Sequence, residues 1–302
     1  MFSDPSMRVL DCAGRPLALD RPRVVGILNV TPDSFSDGGE HATLESAVAH
    51  GLRMVEAGAE MIDVGGESTR PGADDVSTDD ELARVVPVIE RLAAEVEVPL
   101  AVDTSKPEVM RAAVAAGAGM INDVYALRRE GALDAVAELG VPVCLMHMQG
   151  EPRGMQVAPH YDDVVAEVHR FLAERVFACD MAGIDRGRVV VDPGFGFGKN
   201  LEHNLALLRG LDALRDLAAG VYVGLSRKTM IGDITGRALP ADRVSGSVAA
   251  AVVAVQRGAI CVRTHDVAAT RDALAVWQAV HGGDAAAKPA APAAPMWPDD
   301  DD

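Results

Sequence analysis

Eight short apolar runs in this 302-residue chain each lead into groups that hydrogen-bond or ionise. They end on, or run into, Asn29, the loop GGESTRPGA, Asp103-Thr104, Asn122-Asp123, His147, Asp192 before PGFGFGK, Ser226-Arg227-Lys228, and Arg263-Thr264-His265. Two chemistries are available in that set. Asp103, Asn122 and Asp192 offer carboxylate and amide groups suited to a flat heterocycle with several N–H donors and ring acceptors, such as a guanine-like pyrimidinone edge. Two carboxylates in one pocket need cationic partners, donor-rich ligand edges or altered protonation, and Lys228 is the obvious intramolecular cation. A competing role for both Asp residues is capping a helix; TSKPEVM begins one directly after Asp103. Arg263 and His265 suit an anion. Asn29 could lend one oxygen to a Mg²⁺ ion bridging a pyrophosphate, because Mg²⁺ takes few protein ligands and keeps its waters. The alternative for Asn29 is a turn residue. His147, between Met146 and Met148, reads as pocket wall, and no HExxH spacing supports zinc.

The elements that must position these groups alternate regularly. Strand candidates lie at VVGILNV near 24 to 30, EMIDVGG near 60, PLAVDT near 99, GMINDV near 119, PVCLMHM near 142, RVVVDP near 188, VYVGLS near 221 and AICVRTH near 259. Each is followed by a helical pattern, as in TDDELARVVPVIERLAAEV and LEHNLALLRGLDALRDL, with apolar residues three and four apart. Eight βα units between Arg23 and His281 match the ~250 residues typical of a closed (β/α)₈ TIM barrel. An open doubly wound sheet is the alternative, weakened by the lack of a GxGxxG fingerprint after the first strand. Barrel strands are covered on both sides, so polar groups belong at their C-terminal ends, where such barrels carry their active face. The loops after the last two strands commonly hold phosphate there. Residues 1–22, with Gly14 and Pro16 between short apolar runs, predict a β-hairpin capping the barrel floor. Residues 23–281 form the catalytic barrel. The Ala/Pro-rich, then acidic, residues 282–302 predict a disordered tail with Trp297 exposed.

Composition narrows the partners. Hydrophobic residues make up 49% and charged residues 24%, enough to bury a full core, and aromatics are only 4%, which suits helices and parallel strands. A formal net charge of −17 repels nucleic acid and anionic lipid, so an anionic substrate needs a local basic pocket. Cys12, Cys144, Cys179 and Cys261 are widely spaced, indicating neither zinc site nor disulfide framework. The start lacks a signal pattern and no run approaches the ~20 apolar residues of a membrane span, so a soluble, cytoplasmic protein is expected.

The same residues carry a family resemblance. GILNVTPDSFSDGG, DVGGESTRPGA, VDT, INDV, DPGFGFGK, GLSRK and HDV, in this order from about Val24 to Val280, resemble the motifs of dihydropteroate synthases. The resemblance implies a pterin-binding barrel that condenses 6-hydroxymethyl-7,8-dihydropterin pyrophosphate with para-aminobenzoate, releasing pyrophosphate and 7,8-dihydropteroate. It also implies Mg²⁺ as cofactor, a homodimer, and sulfonamides competing for the aminobenzoate site. Position by position, Asp103, Asn122, Asp192 and Lys228 match the pterin pocket, lined by Met146 and Phe197. Asn29, Arg263 and His265 match the pyrophosphate and metal site, with Arg227 adding positive potential. Thr69, Arg70, Pro71 and Ser226 match the aminobenzoate region. Asp33, Ser34 and Phe35 belong to a mobile lid, with Asp33, Asp103, Asp192 and Lys228 as the catalytic set. Glycines 38, 39, 65, 66 and 72 would permit that movement. Thr264 departs from the family, which usually has an apolar residue there, and YALRRE after INDV lies in a variable stretch. Two rivals share the pterin half: a barrel that moves a methyl group from a methylfolate to a corrinoid protein, and a catalytically silent pterin-binding homologue. Neither needs the full set of loop motifs found here.

Overall fold

The structure, a computed structural model, describes residues 8–31, 39–68, 75–150 and 154–281. Two antiparallel strands, β1 (Val9–Cys12) and β2 (Arg15–Ala18), form a hairpin. Its turn uses two left-handed residues, Ala13 at φ 54° and Gly14 at φ 82°, with the Gly14 N–H donating to Asp11 Oδ1 at 2.7 Å.

Eight parallel strands then close on themselves. They are β3 (Arg23–Asn29), β4 (Met61–Gly65), β5 (Leu100–Asp103), β6 (Met120–Asp123), β7 (Val143–Met146), β8 (Val189–Asp192), β9 (Gly220–Gly224) and β10 (Ala259–Thr264), with β10 pairing back onto β3. The open-sheet alternative is thereby excluded. These runs are rich in β-branched residues and buried on both faces, as parallel strands must be. The covering helices are α1 (Gly39–Glu56), α2 (Thr78–Glu95), α3 (Pro107–Ala115), α4 (Ala132–Leu139), α5 (Val164–Met181), α6 (Leu201–Arg209), α7 (Thr229–Thr235), α8 (Val244–Gln256) and α9 (Val267–His281). Most crossovers carry one α-helix. The one after β9 carries two, because Gly236, at φ 70°, turns the chain out of α7, and Pro240 follows. Local caps fix the starts: Ser77 accepts the Asp80 N–H, and Asp163 accepts those of Val165 and Ala166.

The barrel floor is apolar. Leu10, Cys12, Leu17 and Leu19 of the hairpin segment pack against Val25, Met61, Ala101, Met120, Cys144, Val190, Tyr222 and Cys261 from inside the strands. The hairpin therefore caps the barrel as expected. The approach is close at Gly119, where a Cβ would lie 2.3 Å from the Cys12 carbonyl oxygen. All four cysteines are free and buried, three of them in this floor and Cys179 on α5. Burial pushes the thiols of Cys12 and Cys261 up to about 12, that of Cys179 to about 11, and that of Cys144 well above its ordinary value. The expected tail, with Trp297, lies outside the described residues.

Candidate active site

Side chains alternate along a strand, so the residue two beyond an inward floor residue also points inward, one layer nearer the C-terminal mouth. Two beyond Met61, Ala101, Met120, Cys144, Val190 and Cys261 stand Asp63, Asp103, Asn122, Met146, Asp192 and Arg263. Period two alone thus converts an apolar floor into a polar ring. Asn122, Met146 and Asp192 are buried, and Asp63 is fully so.

The ring is wired across the barrel. The Arg263 guanidinium donates through Nε to Asp63 Oδ2 at 2.5 Å and through Nη2 to Asp103 Oδ2 at 2.8 Å. Asn122 Nδ2 donates to the same Asp63 oxygen at 2.9 Å. Residues matched to the pterin and pyrophosphate halves therefore share one network, and Asp63, absent from the expected set, lies at its centre. Asp103 does not cap α3 through its side chain; Thr104 Oγ1 accepts the Lys106 N–H at 3.3 Å. Burial, reinforced by Asp63, pushes the Asp103 carboxyl up, against the opposing pull of Arg263. Burial works against the charge on Arg263, but Asp63 and Asp103 outweigh it and hold the guanidinium firmly protonated.

Asp192 lies in the ring and caps no helix: its Oδ1 accepts the Gly194 N–H at 2.7 Å within the loop, and Asn200 caps the helix that follows. Burial raises its carboxyl, opposed chiefly by Lys228. Burial also pulls Lys228 down to about 8, against the attraction of Asp192. Lys228 Nζ donates to the Phe195 carbonyl and stands 4.7 Å from the centre of the Phe197 ring, which brings Phe197 and Lys228 together.

The turn that presents Phe197 is built on a buried lysine absent from the expected set. Lys199 Nζ lies 2.9 Å from the carbonyl oxygens of Gly194 and Phe197 and 2.9 Å from His147 Nδ1. His147, one residue past inward-facing Met146, packs edge-on against Phe171 of α5 instead of facing the ring, and it is held neutral because burial, with Lys199 beside it, pulls its pKa down to about 2.

Ser226 is placed beside His265. Its Oγ accepts the His265 N–H at 3.1 Å and lies 3.0 Å from His265 Nδ1. Arg227, at φ 59°, turns its guanidinium onto Asp266, at 3.0 and 2.5 Å, tying the β9 and β10 loops together. Its charge is thus matched before any ligand arrives. Thr264, the departure from the family pattern, is buried and satisfied locally: its Oγ1 accepts the Asp266 N–H and contacts Thr270.

Beside the mouth, a cleft of about 520 Å³ is lined by Glu67, Lys106, Tyr125 and Arg128, among others. Glu67 takes Lys106 Nζ at 2.7 Å on one oxygen and the Val76 N–H at 3.1 Å on the other, so one carboxylate braces both flanks of residues 69–74. Thr69, Arg70, Pro71, Asp33, Ser34 and Phe35 lie outside the described residues, as do Gly38 and Gly72.

Asn29, half-buried, ends β3 at this mouth. A Cβ on neighbouring Gly65 would lie 3.4 Å from Asp103 Cβ and 3.9 Å from Asn29 Oδ1, so this glycine keeps the space between the two side chains open. Among the described residues no three His, Cys, Asp or Glu side chains converge as a ligand set. The donor set still suits magnesium, which needs few protein oxygens when phosphate and water supply the rest. The ring's carboxylates, Asp63, Asp103 and Asp192, outnumber its cations, Arg263 and Lys228, so an incoming pyrophosphate calls for a further cation.

Comparison with known proteins agrees with this arrangement. Residues 25–265 match the family described as pterin binding enzyme. The dihydropteroate synthase of Escherichia coli K12 is 54% identical over 266 residues, covering 88% of this chain and 94% of that protein. Among solved structures, the dihydropteroate synthase of Xanthomonas albilineans with 4-aminobenzoic acid superposes with a TM-score of 0.87 at 66% identity, covering 91% of this chain and 99% of that one. The same enzyme in complex with 7,8-dihydropteroate gives 0.83 at 64% identity, with the same coverage. With its polar ring set on a closed eight-stranded barrel, the chain belongs to the dihydropteroate synthase family of pterin-binding enzymes.

Proposed function

We propose that this chain is a transferase that joins 6-hydroxymethyl-7,8-dihydropterin pyrophosphate to para-aminobenzoate, yielding 7,8-dihydropteroate and pyrophosphate. The observation that carries this reading is the inward ring, in which Arg263 bonds Asp103 directly and Asn122 joins it through Asp63, with Asp192 in the same ring and Lys228 beside Phe197.

In this reading Asp192, Asn122 and Asp103 address the pterin edge, with Met146 and Phe197 as apolar walls. Arg263 and His265 receive the pyrophosphate. Asn29 would hold Mg²⁺, whose contribution when bound is to neutralise charge on the leaving group. The bond between the pterin methylene carbon and the pyrophosphate oxygen breaks, and its electron pair leaves with pyrophosphate. The electron-rich ring stabilises the methylene cation. The arylamine lone pair then forms the C–N bond and the nitrogen releases a proton. No protein nucleophile is required; Lys228, engaged with the Phe195 carbonyl, serves the pterin by charge and hydrogen bonding. Asp33, Ser34 and Phe35 would close over the reactants, excluding water that could capture the cation, and Thr69, Arg70, Pro71 and Ser226 would seat the aminobenzoate, where sulfonamides would compete. The pyrophosphate residues favour a synthase over a methyl-transferring barrel, because a methylfolate brings no such group.

The test mixes purified protein, the pterin pyrophosphate and labelled aminobenzoate with and without Mg²⁺. Labelled dihydropteroate and released pyrophosphate are expected, dependent on Mg²⁺; no product in either condition refutes the reading. Asp192→Ala should weaken pterin binding and Arg70→Ala mainly aminobenzoate use, and equal effects on both substrates would contradict the division of roles.

The functional unit in this reading is a cytoplasmic homodimer. Supporting it, five of the nine exposed large apolar side chains among the described residues fall in the last three helices and their connections: Ile234, Leu239, Val253, Val276 and Val280. Sedimentation of the wild type should give a dimer, and Val276→Asp should shift it toward monomer.

A further inference from the structure

We propose that Asp63 is a positioning residue that fixes Arg263 for the pyrophosphate and links that half of the site to the pterin half; this rests on the function proposed above. Asp63 stands mid-strand on β4 with no exposed surface, so it is placed to act through other side chains. Its Oδ2 accepts Arg263 Nε and Asn122 Nδ2, joining groups from β10 and β6.

The geometry selects which face of Arg263 is offered to a ligand. Nε and Nη2 lie on one edge of the planar guanidinium, and here that edge is taken by Asp63 and Asp103. The Nη1 end is left for an anion. Two charge-assisted bonds hold the side chain in this pose before the substrate arrives, so little rotamer freedom is lost on binding. Asn122 is oriented by the same oxygen, which leaves its own amide oxygen to face a heterocycle. A shift of Arg263 toward a bound anion must therefore be felt at Asn122 through Asp63. That makes the two ligand halves thermodynamically coupled, and the coupling is reciprocal.

The experiment uses the full chain and calorimetry with two probes: inorganic pyrophosphate with Mg²⁺, and 6-hydroxymethylpterin without its pyrophosphate, each titrated alone and in the presence of the other. In the wild type each probe should change the affinity for the other. Asp63→Asn preserves volume and keeps one acceptor oxygen but removes the charge, so the bond to Arg263 is no longer an ion pair; it should weaken pyrophosphate roughly tenfold, the low end of the range for a hydrogen bond to a charged group, and diminish the mutual effect. In an Arg263→Lys background, adding Asp63→Asn should have little further effect on pyrophosphate, because the group it positions is gone. Asp63→Ser carries the same expectations should Asp63→Asn not fold. Folded variants that bind pyrophosphate as the wild type does, or full additivity with Arg263→Lys, would overturn the role of Asp63 alone. Wild-type protein that binds neither probe would instead overturn the functional reading, and this inference with it.

Discussion

Lys228 titrates within the pH range where activity can be measured. Its folded value, about 8, lies below the ordinary 10.5, because burial disfavours the charged form. The sign follows: the ammonium is present below about 8 and lost as pH rises through it. kcat/KM for the pterin pyrophosphate should therefore fall on an alkaline limb near 8, and in Lys228→Arg the limb should move out of the measurable range at some loss of rate. A limb that stays near 8 in the arginine variant would assign it to another group. His147 contributes no limb, being neutral above about 2. At this scale the sequence was only partly legible. Asp103, Asn122, Asp192 and Arg263 declared themselves as polar groups where apolar strands end. Asp63 did not, because it sits inside EMIDVGG and only the parity of the strand, two residues beyond Met61, aims it inward. Lys199 was hidden differently: it ends the GFGFGK loop, and its burial depends on the path of the preceding glycines, with Gly194, Gly196 and Gly198 all at positive φ.

Elements divide the barrel into a face that reacts and a face that holds. Gly119 immediately precedes β6 at the floor, where a Cβ would meet the hairpin backbone at 2.3 Å. Gly119→Ala must displace the hairpin or the strand and should destabilise the chain by about 1–3 kcal/mol, as overpacking does. Activity per folded molecule should be preserved, since the reacting groups stand at the other end. Urea unfolding together with active-site titration would check both halves; a fall in activity without loss of stability would contradict the division. The alternation of strand and helix was legible throughout, because apolar periodicity depends on neighbours three, four or two residues away. The doubled crossover after β9 was not, since it follows from a glycine C-cap whose conformation shows only in three dimensions.

The molecule as a whole carries a charge opposed to its chemistry. At −17, its far field repels an anionic substrate that the local cations attract. Salt screens the far field over about 10 Å at 0.1 M but reaches the buried pairs far less. kcat/KM for the pterin pyrophosphate should accordingly rise, by about twofold or less, between 10 and 100 mM monovalent salt at constant Mg²⁺. A falling trend would mean that local attraction dominates at long range.

The four buried cysteines extend this to how the protein comes apart. With thiols raised by burial, none is reactive in the folded state, so a thiol-specific label can enter only as structure opens. Cys12, Cys144 and Cys261 share the floor, and Cys179 lies apart on α5. Labelling kinetics resolved by mass would then act as an internal clock, timing the lifting of the hairpin separately from the peeling of an outer helix, with no probe engineered into the chain.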